Sequence, residues 1–222
     1  MPTLDWETAV SPPYIHIAGL DEAGRGALAG PVTAAAVIFP RNNPHLLDAL
    51  QGVNDSKQLS AQVREQLFSR ITHYAATYAV ASVSAAIIDQ VGIVPATKQA
   101  MMLTLAQLAP AADYLLIDGL IRLPNCPLPQ QAIIRGDSHS LSIAAASILA
   151  KVTRDREMIA LDESYPQYGF ARHKGYGTAA HLAAIGRYGP SPVHRHTFAP
   201  MRQTLILEAV LSQLPRAASG SQ

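Results

Sequence analysis

Three short apolar segments of the chain each run into acidic residues, and this pattern narrows the folds that the chain can adopt. The segments are residues 15–20 before Asp21 and Glu22, residues 114–117 before Asp118, and residues 132–134 before Asp137. Apolar runs of this length are typical of buried strands. In open α/β sheets, loops and sites gather at strand ends. We therefore expect acidic side chains at the ends of three strands.

Further strand and helix patterns alternate along the chain. Strands are predicted at residues 32–39 and 78–83, and helices at residues 60–74, 97–108 and 140–161. Ser60 can cap the first of these helices, and Pro110 is expected to end the second. Early strands, followed by strands that alternate with helices, predict an α/β fold with a mixed sheet.

The composition fits a globular protein in a reducing compartment. Hydrophobic residues make up 49% of the 222 positions and charged residues 15%, so a full core is available and disorder is not expected. Cys126 is the single cysteine, which excludes an intrachain disulfide and a cysteine zinc cluster. Residues 1–13 lack the order of a signal peptide, and no apolar run approaches the roughly 20 residues of a membrane helix. We therefore expect a soluble, cytoplasmic protein with no membrane contact.

Carboxylates that meet at one point are typical of a site for a hard divalent cation. Mg²⁺ and Mn²⁺ prefer oxygen ligands, and two such ions can activate a water and stabilise the leaving oxygen in phosphodiester cleavage. Without a cation, acids this close would repel one another. Each acid alone has a simpler explanation as a turn former or a helix cap, and Asp137 could cap the helix after it. Acids at three separate apolar strand ends favour the metal site.

Asp21 and Glu22 raise a geometric question, because neighbours on a regular strand point to opposite faces. Both can reach one metal site only if the strand ends or bulges there, or if Glu22 uses its backbone carbonyl. The glycines at positions 24 and 26 favour an irregular backbone after this pair.

The glycine-rich segment at residues 24–29 (GRGALA) fits the pattern G-x-G-x-x-G/A of dinucleotide-binding turns. That pattern needs a helix directly after the glycines. Here Pro31 and the run that begins at Val32 predict a strand, and the two preceding acids would face a pyrophosphate. Both observations disfavour a dinucleotide site.

Several blocks of the sequence together resemble the ribonuclease HII family, in the family's order and across residues 15–200. The blocks are GLDEAGRGALAGP at 19–31, NDSK at 54–57, LIDG at 116–119, GDS at 136–138, IAAASILAKVTRD at 143–155 and YGFARHKGY at 168–176. Ala27 departs from the family, which commonly has proline there, and this changes the stiffness of the loop.

The resemblance implies a ribonuclease H-like fold, with a five-stranded mixed sheet flanked by helices and a small C-terminal helical extension. It implies an endonuclease that hydrolyses the RNA strand of RNA–DNA hybrids and nicks ribonucleotide-containing duplex DNA on the 5′ side of the ribonucleotide. The products would carry 5′-phosphate and 3′-hydroxyl ends, and the cofactor would be Mn²⁺ or Mg²⁺. The implied roles are the excision of misincorporated ribonucleotides and the removal of RNA primers.

The resemblance also assigns roles to single residues. The acids that match the family's metal ligands and catalytic residues are Asp21, Glu22, Asp118 and Asp137. The residues that match or are assigned to substrate binding are Gly24, Arg25, Gly26, Asn54, Ser56, Lys57 and Tyr176. The glycine loop would sense the ribose 2′-hydroxyl through its backbone, Tyr176 would contact the sugar at the RNA–DNA junction, and Lys57 would contact a phosphate. Asn54 and Asp55 could instead simply form a turn.

The implied domain division has three parts. Residues 1–13 form an N-terminal extension, residues 14–213 form the catalytic domain, and residues 214–222 form a flexible tail. Within the catalytic domain, about residues 165–213 form a helical extension that binds substrate. We expect a monomer, because nothing in the sequence demands a partner chain.

Residues 165–202 contain no Asp or Glu, although the net charge of the whole chain is only +1. The basic and aromatic residues of this stretch are Arg172, Lys174, Arg187, Arg195, Arg202, Tyr168, Phe170, Tyr176, Tyr188 and Phe198, with His173, His181, His194 and His196 among them. This mixture predicts a surface for a phosphate backbone and its sugars, with histidines that face solvent or phosphate. The alternative is a solvated face with core aromatics, and Phe170 and Phe198 are the candidates for the core.

Three other functions compete with this interpretation. Another nuclease of the same fold would cut branched all-DNA substrates and would need no ribose sensor. A binding module would bind nucleic acid without metal-dependent cleavage. A nucleotide-cofactor enzyme would bind a dinucleotide at residues 24–29, which we consider the weakest of the three. Asp155 is left out of the predicted site, because it can pair with Lys151 one helical turn away.

Overall fold

A five-stranded mixed sheet is the centre of the fold in the computed structural model, which describes residues 1–199 and Met201. The strands are β1 (Ile17–Ala23), β2 (Val32–Ile38), β3 (Thr77–Val83), β4 (Tyr114–Asp118) and β5 (Gln130–Ile133). Their order is β3-β2-β1-β4-β5. The β1–β2 and β2–β3 pairs are antiparallel, whereas β1–β4 and β4–β5 are parallel. The predicted five-stranded mixed sheet flanked by helices is confirmed.

Helices cover both faces of this sheet. They are α1 (Asp5–Ala9), α2 (Leu46–Ala49), α3 (Ala61–Tyr74), α4 (Ala85–Val91), α5 (Ile93–Leu105), α6 (Leu141–Ser164), α7 (Phe170–His173) and α8 (Ala179–Tyr188). Short 3-10 turns lie at Ser56–Gln58 and Gly136–Ser138. Among the described residues, none of these helices has the length and apolar character needed to cross a membrane.

The side chains of β2 alternate between two cores, as a strand buried on both faces requires. Ala34 and Ala36 pack in the core that includes α5, and Ala35 packs in the core that includes α6. On the neighbouring strand, Gly19 allows α6 to approach closely, since a Cβ at this position would lie 2.3 Å from the backbone carbon of Ser142. The first turn of α6 is therefore held directly against β1.

The N-terminal end of α6 is fixed by its own cap and by the start of the chain. Ser140 is the N-cap, and its hydroxyl accepts a hydrogen bond from the backbone N–H of Ile143. Glu7, from α1, is buried, and its Oε1 accepts hydrogen bonds from the Ser140 hydroxyl and from the N–H and hydroxyl of Ser142. A carboxylate suits the positive end of a helix. The result is a rigid start to α6 directly after Asp137.

Several element boundaries differ from the sequence-based expectations for local physical reasons. The strand expected at residues 15–20 continues through Asp21 and Glu22 to Ala23, because β1 stays paired with β2 as far as Ala23 and Thr33. The helix expected at residues 97–108 begins at Ile93 instead, since Pro95 lies in its first turn, where no backbone donor is needed. Helix α4 was not predicted.

The described part of the predicted helical extension contains α7 and α8. The remainder of that extension from residue 202, together with the predicted tail at residues 214–222, lies outside the described residues.

Candidate active site

Three aspartates from separate segments meet at one edge of the sheet. Asp21, Asp118 and Asp137 each offer one carboxylate oxygen, and these oxygens lie within 4.8 Å of one another. Asp21 and Asp118 come together because β1 and β4 are parallel neighbours, paired as far as Leu20 and Ile117. Asp137 lies in the 3-10 turn after β5, and its N–H lies 3.4 Å from Asp118 Oδ1. The sheet and the fixed start of α6 thus build the cluster.

The Glu22 side chain lies outside this set of three oxygens. Asp21 and Glu22 are both within β1, so their side chains leave opposite faces of the strand, but Glu22 remains near enough to Asp118 and Lys57 for their charges to act on its pKa. Glu22 Oε1 pairs with Arg25 at 3.0 Å, whereas Glu22 Oε2 is buried and has no hydrogen-bond partner in the described part of the chain. A buried carboxylate oxygen without a donor is unfavourable, and a cation would satisfy it.

Burial and mutual repulsion disfavour the ionised form of these acids and raise their pKa values. Burial, followed by the charges of Glu22 and Asp118, raises the pKa of Asp21 well above its ordinary value. Burial also raises the pKa of Glu22, although Arg25 opposes the shift. The pKa of Asp137 is raised as well, by burial and then by Asp118. Carboxylates suit a hard cation, and a bound cation would remove the repulsion.

A cationic side chain already lies beside this cluster. Lys57 Nζ is 3.9 Å from Asp137 Oδ2. Partial burial alone would lower the pKa of Lys57, but the surrounding acids, with Asp21 foremost, outweigh it and raise that pKa. An open cavity of about 410 Å³ adjoins the cluster, and its lining is Asp55, Lys57, Gln58, Asp118, Arg135, Asp137 and Ser138. This polar cavity suits a charged ligand such as a phosphodiester.

Hydrogen bonds made by the other residues of the NDSK block fix the turn that carries Lys57. Asp55 Oδ1 accepts a hydrogen bond from the Lys57 N–H at 2.9 Å, and Asn54 Nδ2 donates to Gln58. These are the turn bonds that the alternative interpretation expected. Ser56 is buried, and its hydroxyl accepts a hydrogen bond from Ser147 of α6 at 2.7 Å. The Ser56 side chain therefore anchors this turn to α6 and is not directed into the cavity.

The glycine loop and Tyr176 lie side by side. The Leu28 N–H donates to the carbonyl of Gly175 at 2.8 Å, which joins the loop to the segment before Tyr176. Gly24 has a φ of +91°, and an added Cβ would lie 2.0 Å from Arg154 Nε, so a larger side chain is excluded. Around Gly26 the space is open. The two segments predicted to contact one sugar are thus neighbours in space.

The structure corrects part of the expectation of a basic surface, within the described residues 165–199. Arg195, His181 and His194 are fully buried rather than facing solvent or phosphate. Burial lowers the pKa of both His181 and His194 to about 4, so both are neutral near pH 7. Phe170 is fully buried, as its candidacy for the core predicted. The exposed basic residues that remain in the described part of this stretch include Arg172 and Arg187.

Arg154 is a site neighbour that the sequence patterns did not indicate. It is fully buried within α6, and it touches the backbone of both the glycine loop and the segment before Tyr176. On a helical wheel it is one more charged position, and only the tertiary fold shows that it is buried. Asp155, by contrast, pairs with Lys151 at 2.7 Å, as expected, and is also 3.7 Å from Arg64.

Comparisons with known proteins agree with this geometry. The model of the ribonuclease HII family matches residues 18–201, which include all four predicted acids. The chain is 53% identical over 199 residues to Ribonuclease HII of Chloroflexus aurantiacus, covering 90% of this chain and 91% of the relative. It is 57% identical over 191 residues to Ribonuclease HII of Geobacillus thermodenitrificans, covering 86% of this chain and 71% of the relative.

Solved structures show the same fold. The ribonuclease H2 from Pyrococcus horikoshii has a TM-score of 0.73 at 27% identity, over 90% of this chain and 100% of that chain. Bst-RNase HIII in complex with Mn²⁺ has a TM-score of 0.64 at 20% identity, over 87% of this chain and 70% of that chain, and shows the fold alone. Together with the family match, these findings establish that the chain belongs to the ribonuclease HII family, whose members are endonucleases that hydrolyse RNA in RNA–DNA hybrids.

Proposed function

We propose that Asp21, Asp118 and Asp137, with Glu22 beside them, hold Mn²⁺ or Mg²⁺ and that this centre hydrolyses the RNA strand of RNA–DNA hybrids. The convergence of three carboxylate oxygens within 4.8 Å is the observation that carries the proposal. The same site nicks duplex DNA on the 5′ side of an embedded ribonucleotide. Cleavage leaves a 5′-phosphate and a 3′-hydroxyl, as the family resemblance implies.

The donor set fits the proposed ions. Every donor in the cluster is a carboxylate oxygen, which suits Mg²⁺ and Mn²⁺ and does not suit softer metals. The buried and unpartnered Glu22 Oε2 is a further oxygen that a cation would satisfy. When bound, such ions supply an activated water and stabilise the leaving oxygen. Mn²⁺ is also the ion held by Bst-RNase HIII, a protein of the same fold.

In this proposal the residues around the acids contact different parts of the substrate, its phosphates and its sugars. Lys57 extends over the polar cavity beside Asp137, where it can neutralise a phosphate that enters. The backbone of Gly24, Arg25 and Gly26 can approach a sugar closely, because two of these residues have no Cβ. The 2′-hydroxyl distinguishes RNA from DNA at a given sugar. Tyr176, half-buried beside this loop, contacts the neighbouring sugar with its ring.

The protein acts as a monomer in this proposal, since all three converging aspartates come from one chain. Residues 14–213 form the catalytic unit, residues 165–213 bind substrate, and residues 214–222 take no part in the reaction. A cytoplasmic location is proposed from the single cysteine and from a substrate that lies in chromosomal DNA. Size-exclusion chromatography with light scattering tests the monomer, and a dimer mass would contradict it.

Calorimetric titration of Mn²⁺ into the wild-type protein and the Asp118→Asn variant tests the metal centre. We expect the substitution to weaken Mn²⁺ binding at least about tenfold, in keeping with the loss of a charged ligand, and to abolish cleavage of an RNA–DNA hybrid. Asp48→Asn is the matched control, because Asp48 is exposed on α2 and outside the cluster. Wild-type Mn²⁺ affinity and cleavage in Asp118→Asn would contradict the proposal.

A further inference from the structure

Arg154 is a buried cation that makes its hydrogen bonds to backbone carbonyls rather than to an acid. It is 0% exposed. Its Nε donates to Pro31 O at 2.8 Å, its Nη2 to Ala29 O at 3.0 Å, and its Nη1 to Lys174 O at 3.0 Å. No carboxylate lies within ion-pair distance of its guanidinium among the described residues. Burying a charge without a counterion is costly, so its contacts are informative.

The three carbonyls belong to two different segments. Pro31 and Ala29 end the glycine loop, whereas Lys174 lies two residues before Tyr176. The guanidinium also lies against Gly24 in the first segment and against Tyr176 next to the second. A Cβ at Gly24 would meet Arg154 Nε at 2.0 Å, and the Arg154 Cζ lies 5.4 Å from the centre of the Tyr176 ring. One rigid, planar group thus lies against both the glycine loop and the tyrosine ring.

A second buried cation, Arg195, donates hydrogen bonds to the same loop. Arg195 Nη1 donates to Arg25 O at 2.9 Å, and its Nη2 and Nε donate to Pro31 O and Gly30 O. Arg25 is the middle residue of the proposed ribose-sensing backbone. Its carbonyl is therefore tied to a fully buried side chain, which fixes the orientation of the peptide between Arg25 and Gly26.

A chain of histidines holds Tyr176 in the same way. The Ser191 N–H donates to His194 Nδ1 at 2.9 Å, so the proton of the neutral His194 ring is on Nε2. That nitrogen donates to His181 Nε2 at 3.0 Å, which leaves His181 Nδ1 to donate to Tyr176 O at 3.0 Å. The tautomers follow from the hydrogen bonds, and they fit one another without a missing or surplus proton.

We infer that Arg154 is a positioning residue, which sets the gap between the backbone of Gly24–Gly26 and the ring of Tyr176. The inference rests on the proposed role of these two segments as the contacts to adjacent sugars. A shift of about 1 Å in a contact group can cost about a hundredfold in rate, and loops are mobile unless they are tied down. A planar guanidinium with donors in fixed directions is suited to hold two loops at one separation.

A double-mutant cycle tests this inference through kcat/KM for nicking a DNA duplex that carries one ribonucleotide. The variants are Arg154→Lys, Tyr176→Ala and the pair. Lysine keeps the charge but cannot donate to three carbonyls in the geometry of the fork. We expect Arg154→Lys to lower kcat/KM about ten- to a hundredfold. We expect Arg154→Lys to slow Tyr176→Ala by a much smaller factor than it slows the wild-type protein, because the gap that Arg154 sets no longer exists once the ring is absent.

The matched control is Arg156→Lys, on the same helix. Arg156 is half-exposed and pairs with Glu65 on the protein surface, away from Tyr176. We expect it to leave kcat/KM unchanged alone and to add nothing to Tyr176→Ala. Multiplicative losses in the Arg154→Lys and Tyr176→Ala pair would show that the two residues act independently, and this would overturn the inference.

Two further outcomes separate this inference from the proposed function. If the wild-type protein fails to nick the substrate, or if Tyr176→Ala nicks it at the wild-type rate, the proposed function fails and the inference fails with it. If Arg154→Lys does not fold, Arg154→Gln is put through the same cycle, since its amide keeps two donors. Loss of the wild-type circular dichroism spectrum in both variants would show a structural role and would overturn the inference.

Discussion

At the scale of single residues, burial and repulsion within the acidic cluster lower the stability of the metal-free protein, and a bound cation would remove this loss. Asp21 is 4% exposed and lies against Asp118 and Asp137. Its pKa in the folded protein is raised, chiefly by burial and then by the neighbouring acids. The folded protein therefore binds this proton more tightly than the unfolded chain does. Without metal, stability falls as the pH rises from the unfolded pKa, near 3.8, towards the raised folded value.

Asp21→Asn should therefore stabilise the metal-free protein while it abolishes cleavage. The charge of Asp21 is disfavoured by burial and by the neighbouring acids, and an uncharged asparagine removes this cost. We therefore expect the Tm in chelator at pH 7 to rise by about 2 °C or more, where about 1 kcal/mol corresponds to roughly 2–4 °C for a chain of this size. Added Mn²⁺ should raise the Tm of the wild-type protein and leave that of Asp21→Asn almost unchanged.

Differential scanning calorimetry at pH 7 and at pH 4 measures this effect. The difference in Tm between Asp21→Asn and the wild type in chelator should be smaller at pH 4, where the wild-type carboxyl is protonated in the folded state. Asp48→Asn, an exposed acid, should match the wild-type Tm at both values. A metal-free Asp21→Asn protein that melts below the wild type would contradict the assignment of repulsion at this position.

The acids of the cluster could be predicted from the sequence, whereas the buried arginines that brace the glycine loop could not. Asp118 could be predicted because it directly follows a buried apolar run. Asp137 lies three residues after the next apolar run, and the family resemblance favoured it over Asp155 as the fourth acid. The roles of Arg154 and Arg195 could not be predicted, because both donate to backbone carbonyls of residues that are distant in the sequence. Every residue type has such a carbonyl, so the sequence does not show which one is bonded. The same reason explains why His181 and His194 were expected at the surface.

At the scale of elements, α6 connects most parts of the site. Its N-cap, Ser140, follows directly after the turn of Asp137, while Ser147 anchors the turn that carries Lys57. One helical turn apart further along, Lys151 and Asp155 form an ion pair beside the buried Arg154. The sequence predicted this helix, because it is long and capped. It could not predict α4, which is short and separated from α5 only by Gly92.

Glu7→Ala should loosen the start of α6. The substitution removes the acceptor of three buried hydrogen bonds and leaves the Ser140 and Ser142 donors unsatisfied. Hydrogen bonds to a charged group contribute about 1.5–3 kcal/mol each. Since losses within one network are not additive, we expect the free energy of unfolding to fall by about 2–4 kcal/mol.

Urea unfolding followed by circular dichroism measures this loss. Glu163→Ala is the control, because Glu163 is exposed near the other end of α6 and should change stability by less than about 0.5 kcal/mol. Equal stability of Glu7→Ala and the wild type would contradict an anchoring role for α1.

At the scale of the whole molecule, the sheet and the C-terminal segments supply different halves of one active site. The sheet places the acids that are proposed to hold the metal, and residues 170–195 place Tyr176 and brace the glycine loop. The five-stranded sheet was predictable from apolar runs and the family blocks. The packing of the C-terminal helices against the loop was not, since it depends on buried polar contacts between distant segments.

The most direct test of the account is a nicking assay on a DNA duplex that carries one ribonucleotide, with Mn²⁺, with Mg²⁺ and with chelator, beside an all-DNA duplex of the same sequence. We predict one nick on the 5′ side of the ribonucleotide, with 5′-phosphate and 3′-hydroxyl ends. That nick should be absent in chelator and absent from the all-DNA duplex. Equal cleavage of the all-DNA duplex, or a nick that persists in chelator, would contradict a metal-dependent site that reads the ribose.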